Sequence, residues 1–252
     1  MSVRHVLVIG AERCGTSAVR RVLQEHPEVA VALPLQPEPK YFLSEQSTLL
    51  GAGEYRRRYF AHAKEGQVCV DKSTSYLEDP QAAQRAAVLL PDARIVVQLR
   101  DPIERAVSNW RFSTERGLET RGLTEALVSD MTGSGPAGPG GVSVSPFAYV
   151  SRGRYADHLR TWMDAFPQRV RVQFLEEYRV DSAVLRGLLE FVGIDTAVDP
   201  VSWGRPENAS LGPVPNLPHD VRQALKDYYA DPDVRLGRLL GRALPWRRVE
   251  TP

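Results

Sequence analysis

An α/β fold, a single domain over residues 1–252 with a central parallel sheet flanked by helices and a P-loop-like phosphate-binding loop, is predicted by three observations. Short β-rich apolar runs alternate with helical patterns, the signature of strands joined through crossover helices. The clearest run, Ile95-Val96-Val97, is apolar without alternation, as a strand covered on both faces must be. The chemically unusual residues follow the ends of strand candidates, where such sheets bind their ligands.

The elements follow in order. Val3–Ile9 is a strand ended by Gly10, and a helix begins near Ser17, with Val19, Val22 and Leu23 at helical spacing and His26-Pro27 as its stop. Val29–Leu33 is a short strand that runs into the Pro34–Pro39 punctuation. Val68–Val70 is a strand, Gln81–Leu90 a helix, and Arg94–Leu99 the buried strand. Ile103–Phe112 is a helix with Pro102 in its first turn. A Gly/Pro-rich loop at about 131–147 packs as no regular element. Tyr155–Phe166 is an amphipathic helix, Val170–Leu175 a strand, and Ser182–Val192 a helix closed by Gly193. A Pro/Asn-rich loop over Pro200–Pro218 precedes a last helical region that begins at Val221–Tyr229. No internal repeat is visible.

Composition sets the class. The chain has 252 residues, 42% of them hydrophobic and 25% charged, as in an ordinary globule with a sizeable core. Its 32 basic and 31 acidic residues leave a net charge of +1, which argues against a protein that coats nucleic acid or an anionic membrane. Four of the basic residues are lysines, Lys40, Lys64, Lys72 and Lys226, so each one is worth inspection. The apolar stretch Val6–Ile9 is too short for a signal-peptide core, and no segment reaches the ~20 apolar residues of a membrane span. Cys14 and Cys69 make neither a disulfide framework nor a metal pattern. A cytoplasmic protein that needs no metal is expected.

The first loop, Gly10-Ala11-Glu12-Arg13-Cys14-Gly15-Thr16-Ser17, joins a strand to a helix N-terminus, where backbone N–H groups and hydroxyls can cradle an anion. Its G-x-x-x-x-G spacing is that of a Walker A loop, but Thr16 stands where the lysine should be, and the cation is Arg13 instead. The alternative is a glycine turn with Thr16 or Ser17 as a plain N-cap. After the buried strand comes a second basic station. Arg100 can fork onto a terminal phosphate, and Ser108 lies about two turns along the following helix. Arg100 could instead pair with Asp101 or Glu104 and tie the loop. Two stations at one sheet edge would suit a ligand phosphorylated at two places.

Taken together, that loop, the string Leu99-Arg100-Asp101-Pro102-x-x-Arg105-x-x-Ser108 and Val70-Asp71-Lys72-Ser73-Thr74-Ser75-Tyr76 resemble the PAPS-dependent sulfotransferases, in particular the heparan-sulfate glucosaminyl 3-O-sulfotransferase branch and its bacterial relatives. PAPS is 3′-phosphoadenosine 5′-phosphosulfate. The resemblance covers nearly the whole chain, with His26–Val29, Glu38–Phe42, Tyr155–Pro167 and Leu244–Trp246 falling in order.

The resemblance implies a sulfotransferase fold in which Arg13, Cys14, Gly15, Thr16 and Ser17 hold the 5′-phosphosulfate and Arg100 and Ser108 the 3′-phosphate. It implies three catalytic residues: Glu38 as general base, Lys72, and Arg13, which stands where many members have lysine. Lys40 occupies a position that is commonly His in the sugar-modifying enzymes, where it would approach Glu38 or bind an acidic acceptor. The family's Lys-Gly-Arg loop has no counterpart here. In its place stands Glu207–Leu211, where Asn208 and Ser210 could supply neutral hydrogen bonds and Arg205 is an alternative cation. Tyr41, Phe42, Tyr76 and Trp110 are expected as apolar walls for the acceptor, a small metabolite or glycoconjugate. A P-loop kinase or NTPase, and a non-catalytic nucleotide-binding protein, are the competing readings.

Overall fold

The computed structural model describes residues 3–136, 145–205, 207, 210 and 213–247. Along the chain it places β1 (His5–Gly10), α1 (Thr16–Gln24), β2 (Val29–Val31), α2 (Glu45–Leu49), α3 (Gly51–Phe60), β3 (Val68–Lys72), α4 (Pro80–Leu89) and β4 (Arg94–Leu99). These are followed by α5 (Pro102–Glu115), α6 (Leu123–Met131), α7 (Tyr155–Ala165), β5 (Val170–Phe174), α8 (Leu175–Tyr178), α9 (Ser182–Val192) and α10 (His219–Leu240). The residues group into two compact units, Met1–Leu99 with Thr161–Glu207, and Arg100–Arg160 with Asn208–Pro252.

The first unit is built on a five-stranded, all-parallel sheet of order β2-β3-β1-β4-β5. β1 is central and buried on both faces, which explains its unbroken apolar run. One face packs Val6 and Val8 against Val19, Val22 and Leu23 of α1 and Leu185, Leu188, Leu189 and Val192 of α9. Two helices of this unit start where an aspartate meets bare N–H groups: Asp79 accepts from Gln81 and Ala82, and Asp181 from Ala183. Gly193, at φ 80°, closes α9. Because every strand runs the same way, the turns after β1, β2 and β3 all leave from one edge of the sheet.

In the second unit, Ile103, Ala106 and Val107 of α5, Leu123, Ala126 and Leu127 of α6, and Val221, Leu225 and Tyr229 of α10 share one apolar cluster. Asp101 caps α5 by accepting from Ile103 and Glu104, with Pro102 as the first helical residue. The last helix runs for 22 residues and contains Pro232.

The strands sit where the sequence placed them, although β2 stops at Val31 and β3 extends to Lys72. Helices α2, α3, α6 and α8 carried no expectation. α3 opens on Gly51 and includes Gly53, and of its residues only Tyr55 and Phe60 are buried, so its apolar periodicity is faint. Among the described residues no helix is long and apolar enough to cross a membrane.

Candidate active site

Three turns meet at the carboxyl edge of the first unit. The first follows β1. Gly15 takes φ 85° at the N-cap of α1, and a Cβ there would lie 2.8 Å from Leu175 Cδ1, so both dihedral and space call for glycine. Arg13 also has a left-handed backbone, at φ 66°. No side chain caps α1, so neither Thr16 nor Ser17 acts as the plain N-cap, and the first turn keeps the donor-rich end of an anion cradle. Cys14 is the exception in that loop. Its thiol is fully buried, 3.8 Å from the Glu12 carbonyl, and its N–H donates to Ala11 O, so its donors are spent within the turn.

The second and third turns follow β2 and β3, and they lock together. Lys72 is the last residue of β3, in register with Val8 of β1. Beyond it, Ser73 N–H donates to Val8 O and Leu77 N–H to Ile9 O, so the turn is tied to the end of the central strand. Glu38 reaches this turn from the Pro-rich segment after β2. Its Oε1 pairs with Lys72 Nζ, while its Oε2 accepts from Thr74 N–H at 2.9 Å and Thr74 Oγ1 at 3.1 Å. The side chains of Lys72 and Glu38 are only 6% and 12% exposed, so this is a nearly dry ion pair whose residual access is greater on the Glu38 side. Its partner is Lys72, and Lys40 is exposed, with a left-handed backbone at φ 50°.

Beneath the pair lies a second carboxylate. Asp71 is fully buried, with Oδ2 accepting from Tyr55 Oη and Tyr76 Oη, both at 3.0 Å, and Oδ1 accepting from Ser73 Oγ at 2.8 Å. Burial pushes its pKa up to about 6, and the three hydroxyls oppose that shift. Burial likewise raises the Tyr55 and Tyr76 phenols.

This geometry corrects the expected acceptor walls. Tyr41, Phe42 and Tyr76 are at most 1% exposed and belong to an aromatic layer with Tyr55, the Tyr41–Tyr55 ring centroids 5.0 Å apart. Their apolar area is consumed in holding the turn, so none presents a face to an acceptor. Trp110 is half-buried against the second unit's cluster, and its indole N–H donates to Arg121 O. Thr74, Asp71, Ser73 and Tyr55 went unassigned in the sequence. The first three lie within the recognised string, and strand alternation on either side of Lys72 was the signal that separates them.

In the second unit, Arg100 directly follows β4, and its carbonyl accepts from Tyr155 Oη at 2.9 Å. The carboxylates that might have tied its guanidinium are engaged elsewhere: Asp101 caps α5, and Glu104 pairs with Arg222 at 3.2 Å. The Arg100 charge still acts on the Asp101 carboxyl, opposing the upward shift that burial imposes on it. Ser108 is half-buried on α5. The carbonyl of Ser210 accepts from Arg111 Nη2 at 3.2 Å, and in the first unit Glu207 pairs with Arg20 at 2.7 Å. Asn208, and residues 137–144 of the Gly/Pro-rich loop, lie outside the described residues.

The sulfotransferase domain family matches residues 3–202, most of the chain. The chain belongs to the sulfotransferase family. A sulfotransferase from Alicyclobacillus acidocaldarius has the same fold, with TM-score 0.79 and 25% identity over 98% of this chain and 100% of that one. The mouse heparan sulfate glucosamine 3-O-sulfotransferase 3A1 is 23% identical over 95% of this sulfotransferase chain and 63% of its own length. The bifunctional heparan sulfate N-deacetylase/N-sulfotransferase 1 of Caenorhabditis briggsae is 29% identical over 69% of this chain and 20% of its own length. This chain therefore spans between a fifth and just under two thirds of those curated relatives.

Proposed function

We propose that the protein moves the sulfuryl group of PAPS to a hydroxyl of a small metabolite or glycoconjugate and releases adenosine 3′,5′-bisphosphate. The observation that carries this reading is the Glu38 carboxylate held against Lys72 at the edge where the cradle of Arg13–Ser17 also opens. The uncapped α1 N-terminus and the glycine at position 15 fit a bound phosphosulfate, because they offer backbone donors without a side chain in the way.

Bound PAPS supplies an activated sulfuryl group whose bond to the 5′-phosphate oxygen breaks as the acceptor oxygen bonds to sulfur. Glu38 takes the acceptor's proton, its second oxygen steadied by Thr74. Lys72 and Arg13 place positive charge where negative charge grows on the bridging and sulfonate oxygens, which favours the transition state over the ground state. Once Lys72 turns to those oxygens, Glu38 keeps its two contacts with Thr74. Arg100 and Ser108 are assigned to the 3′-phosphate, Thr16 and Ser17 to the 5′-phosphosulfate, and Ser210 to the nucleotide, on the pattern of the family string. Two buried free thiols, Cys14 and Cys69, accord with work in the reducing cytoplasm.

The test is incubation with PAPS and a panel of hydroxylated metabolites and glycans, read by mass spectrometry for an added sulfonate. A sulfated product together with adenosine bisphosphate is expected. Tight binding of ATP with Mg²⁺, no binding of adenosine bisphosphate and no sulfated product would overturn the reading in favour of an NTPase.

A further inference from the structure

Glu38 is held from below as well as from the side. The hydroxyl of Ser73 donates to Asp71 Oδ1, which leaves its oxygen as an acceptor, and the backbone N–H of Lys40 donates to it at 3.0 Å. On the other side of the same segment, Tyr59 Oη donates to the carbonyl of Pro39 at 3.0 Å. The peptide group that links Pro39 to Lys40, directly after Glu38, is thus pinned at both its carbonyl and its N–H, and the left-handed backbone of Lys40 follows it.

The division of labour follows chain parity. Lys72 and Thr74 address the Glu38 carboxylate, whereas Asp71 and Ser73 address the buried layer and the Lys40 amide. Asp71 has no exposed surface, and three hydroxyl donors converge on its two oxygens, so its acceptor role decides which way the Ser73 hydroxyl points. With Ser73 turned the other way, the Lys40 amide would face a hydroxyl hydrogen and lose its partner.

We infer that Asp71 and Ser73 form a positioning relay, Asp71 to Ser73 to the Lys40 amide, that sets the Glu38 carboxylate against Lys72 and Thr74. Neither residue touches the reacting atoms. The inference rests on the sulfotransfer reading for the purpose of Glu38, but the relay itself is a property of the folded chain.

The experiment is residue-resolved amide exchange on the full chain, with adenosine 3′,5′-bisphosphate affinity measured on the same samples. Ser73→Ala should speed exchange at Lys40 by about tenfold and also at Thr74, whose amide is bonded to Glu38 and not to Ser73. Ser73→Thr, which restores the hydroxyl, should return both amides to within about threefold of the parent, and bisphosphate affinity should stay within about twofold throughout. Asp71→Asn, which places an amide donor among hydroxyl donors, should speed the same two amides and serves if Ser73→Ala does not fold. Unchanged exchange at Lys40, or a change at Lys40 that leaves Thr74 as it was, overturns the relay. A parent protein that binds no bisphosphate counts instead against the sulfotransfer reading, so the two failures are distinguishable.

Discussion

Lys72 and Glu38 stand 34 residues apart in sequence and form one ion pair at the carboxyl edge of the sheet. Glu38→Gln keeps the side chain's size but has one acceptor oxygen, so it can accept from Thr74 or from Lys72 but not both, and it removes the proton acceptor. Turnover is expected to fall by about 10²–10⁴-fold while bisphosphate binding persists. Undiminished turnover would remove Glu38 from the role of base. Lys72→Met strands a nearly buried carboxylate, and thermal or denaturant unfolding should report a loss of about 3 kcal/mol. Adding Glu38→Gln to that variant should recover part of it, since no uncompensated charge then remains.

The Arg100 charge acts on the neighbouring Asp101 carboxyl, but Asp101 caps α5 and Glu104 pairs with Arg222, so we expect the guanidinium to serve a ligand. Calorimetry on Arg100→Ala should show adenosine 3′,5′-bisphosphate binding weakened by about 10–100-fold, as for loss of a charge-assisted contact, with adenosine 5′-phosphate little affected. Equal weakening of both nucleotides would contradict the assignment to the 3′-phosphate.

Gly15 is constrained twice, by φ 85° and by Leu175 Cδ1 at 2.8 Å from a would-be Cβ. Gly15→Ala should therefore cost about 1–2 kcal/mol for the left-handed backbone and weaken bisphosphate binding as the turn opens. Leu175→Ala in the same chain relieves the contact and leaves the backbone cost. Nucleotide binding equal to the parent's in Gly15→Ala would show that the turn is no cradle.

Two buried groups give stability opposite slopes against pH. Burial raises Asp71 from 3.8 to about 6, so between those values the native state holds a proton that the unfolded chain has released, and stability falls as pH rises. Burial, helped by the Arg56 charge, lowers His5 from 6.5 to about 4, so there the unfolded chain binds the extra proton and stability rises with pH. Each full shift is worth roughly 3 kcal/mol. From pH 4 to 7 the stability of the parent relative to Asp71→Asn should decline, and relative to His5→Gln it should climb. A flat difference in denaturant unfolding for either variant would refute that group's protonation.

The resemblance singled out Lys72 and Glu38, each at a strand end or a turn whose position local sequence fixes, and the structure brings the two into one ion pair. The resemblance also made surface walls of Tyr41, Phe42 and Tyr76, since an aromatic residue beside a charged one reads the same whether it faces solvent or the core. Here Tyr55, on a helix with a faint pattern of its own, supplies the ring that seals them in. No local rule connects residue 55 with residues 41, 42 and 71, so this layer was not legible beforehand.

By itself, the sequence determined the parallel sheet, the glycine turn after its first strand and the charged residues at its strand ends. Those follow from periodicity, dihedral preference and residue chemistry, which act over a few positions. Tertiary structure alone decided that Lys72 rather than Lys40 meets Glu38, and that Asp71 and Ser73 hold the segment from below. Such choices depend on which distant groups burial deprives of water, because a polar group removed from solvent must take whatever partner the fold brings within reach.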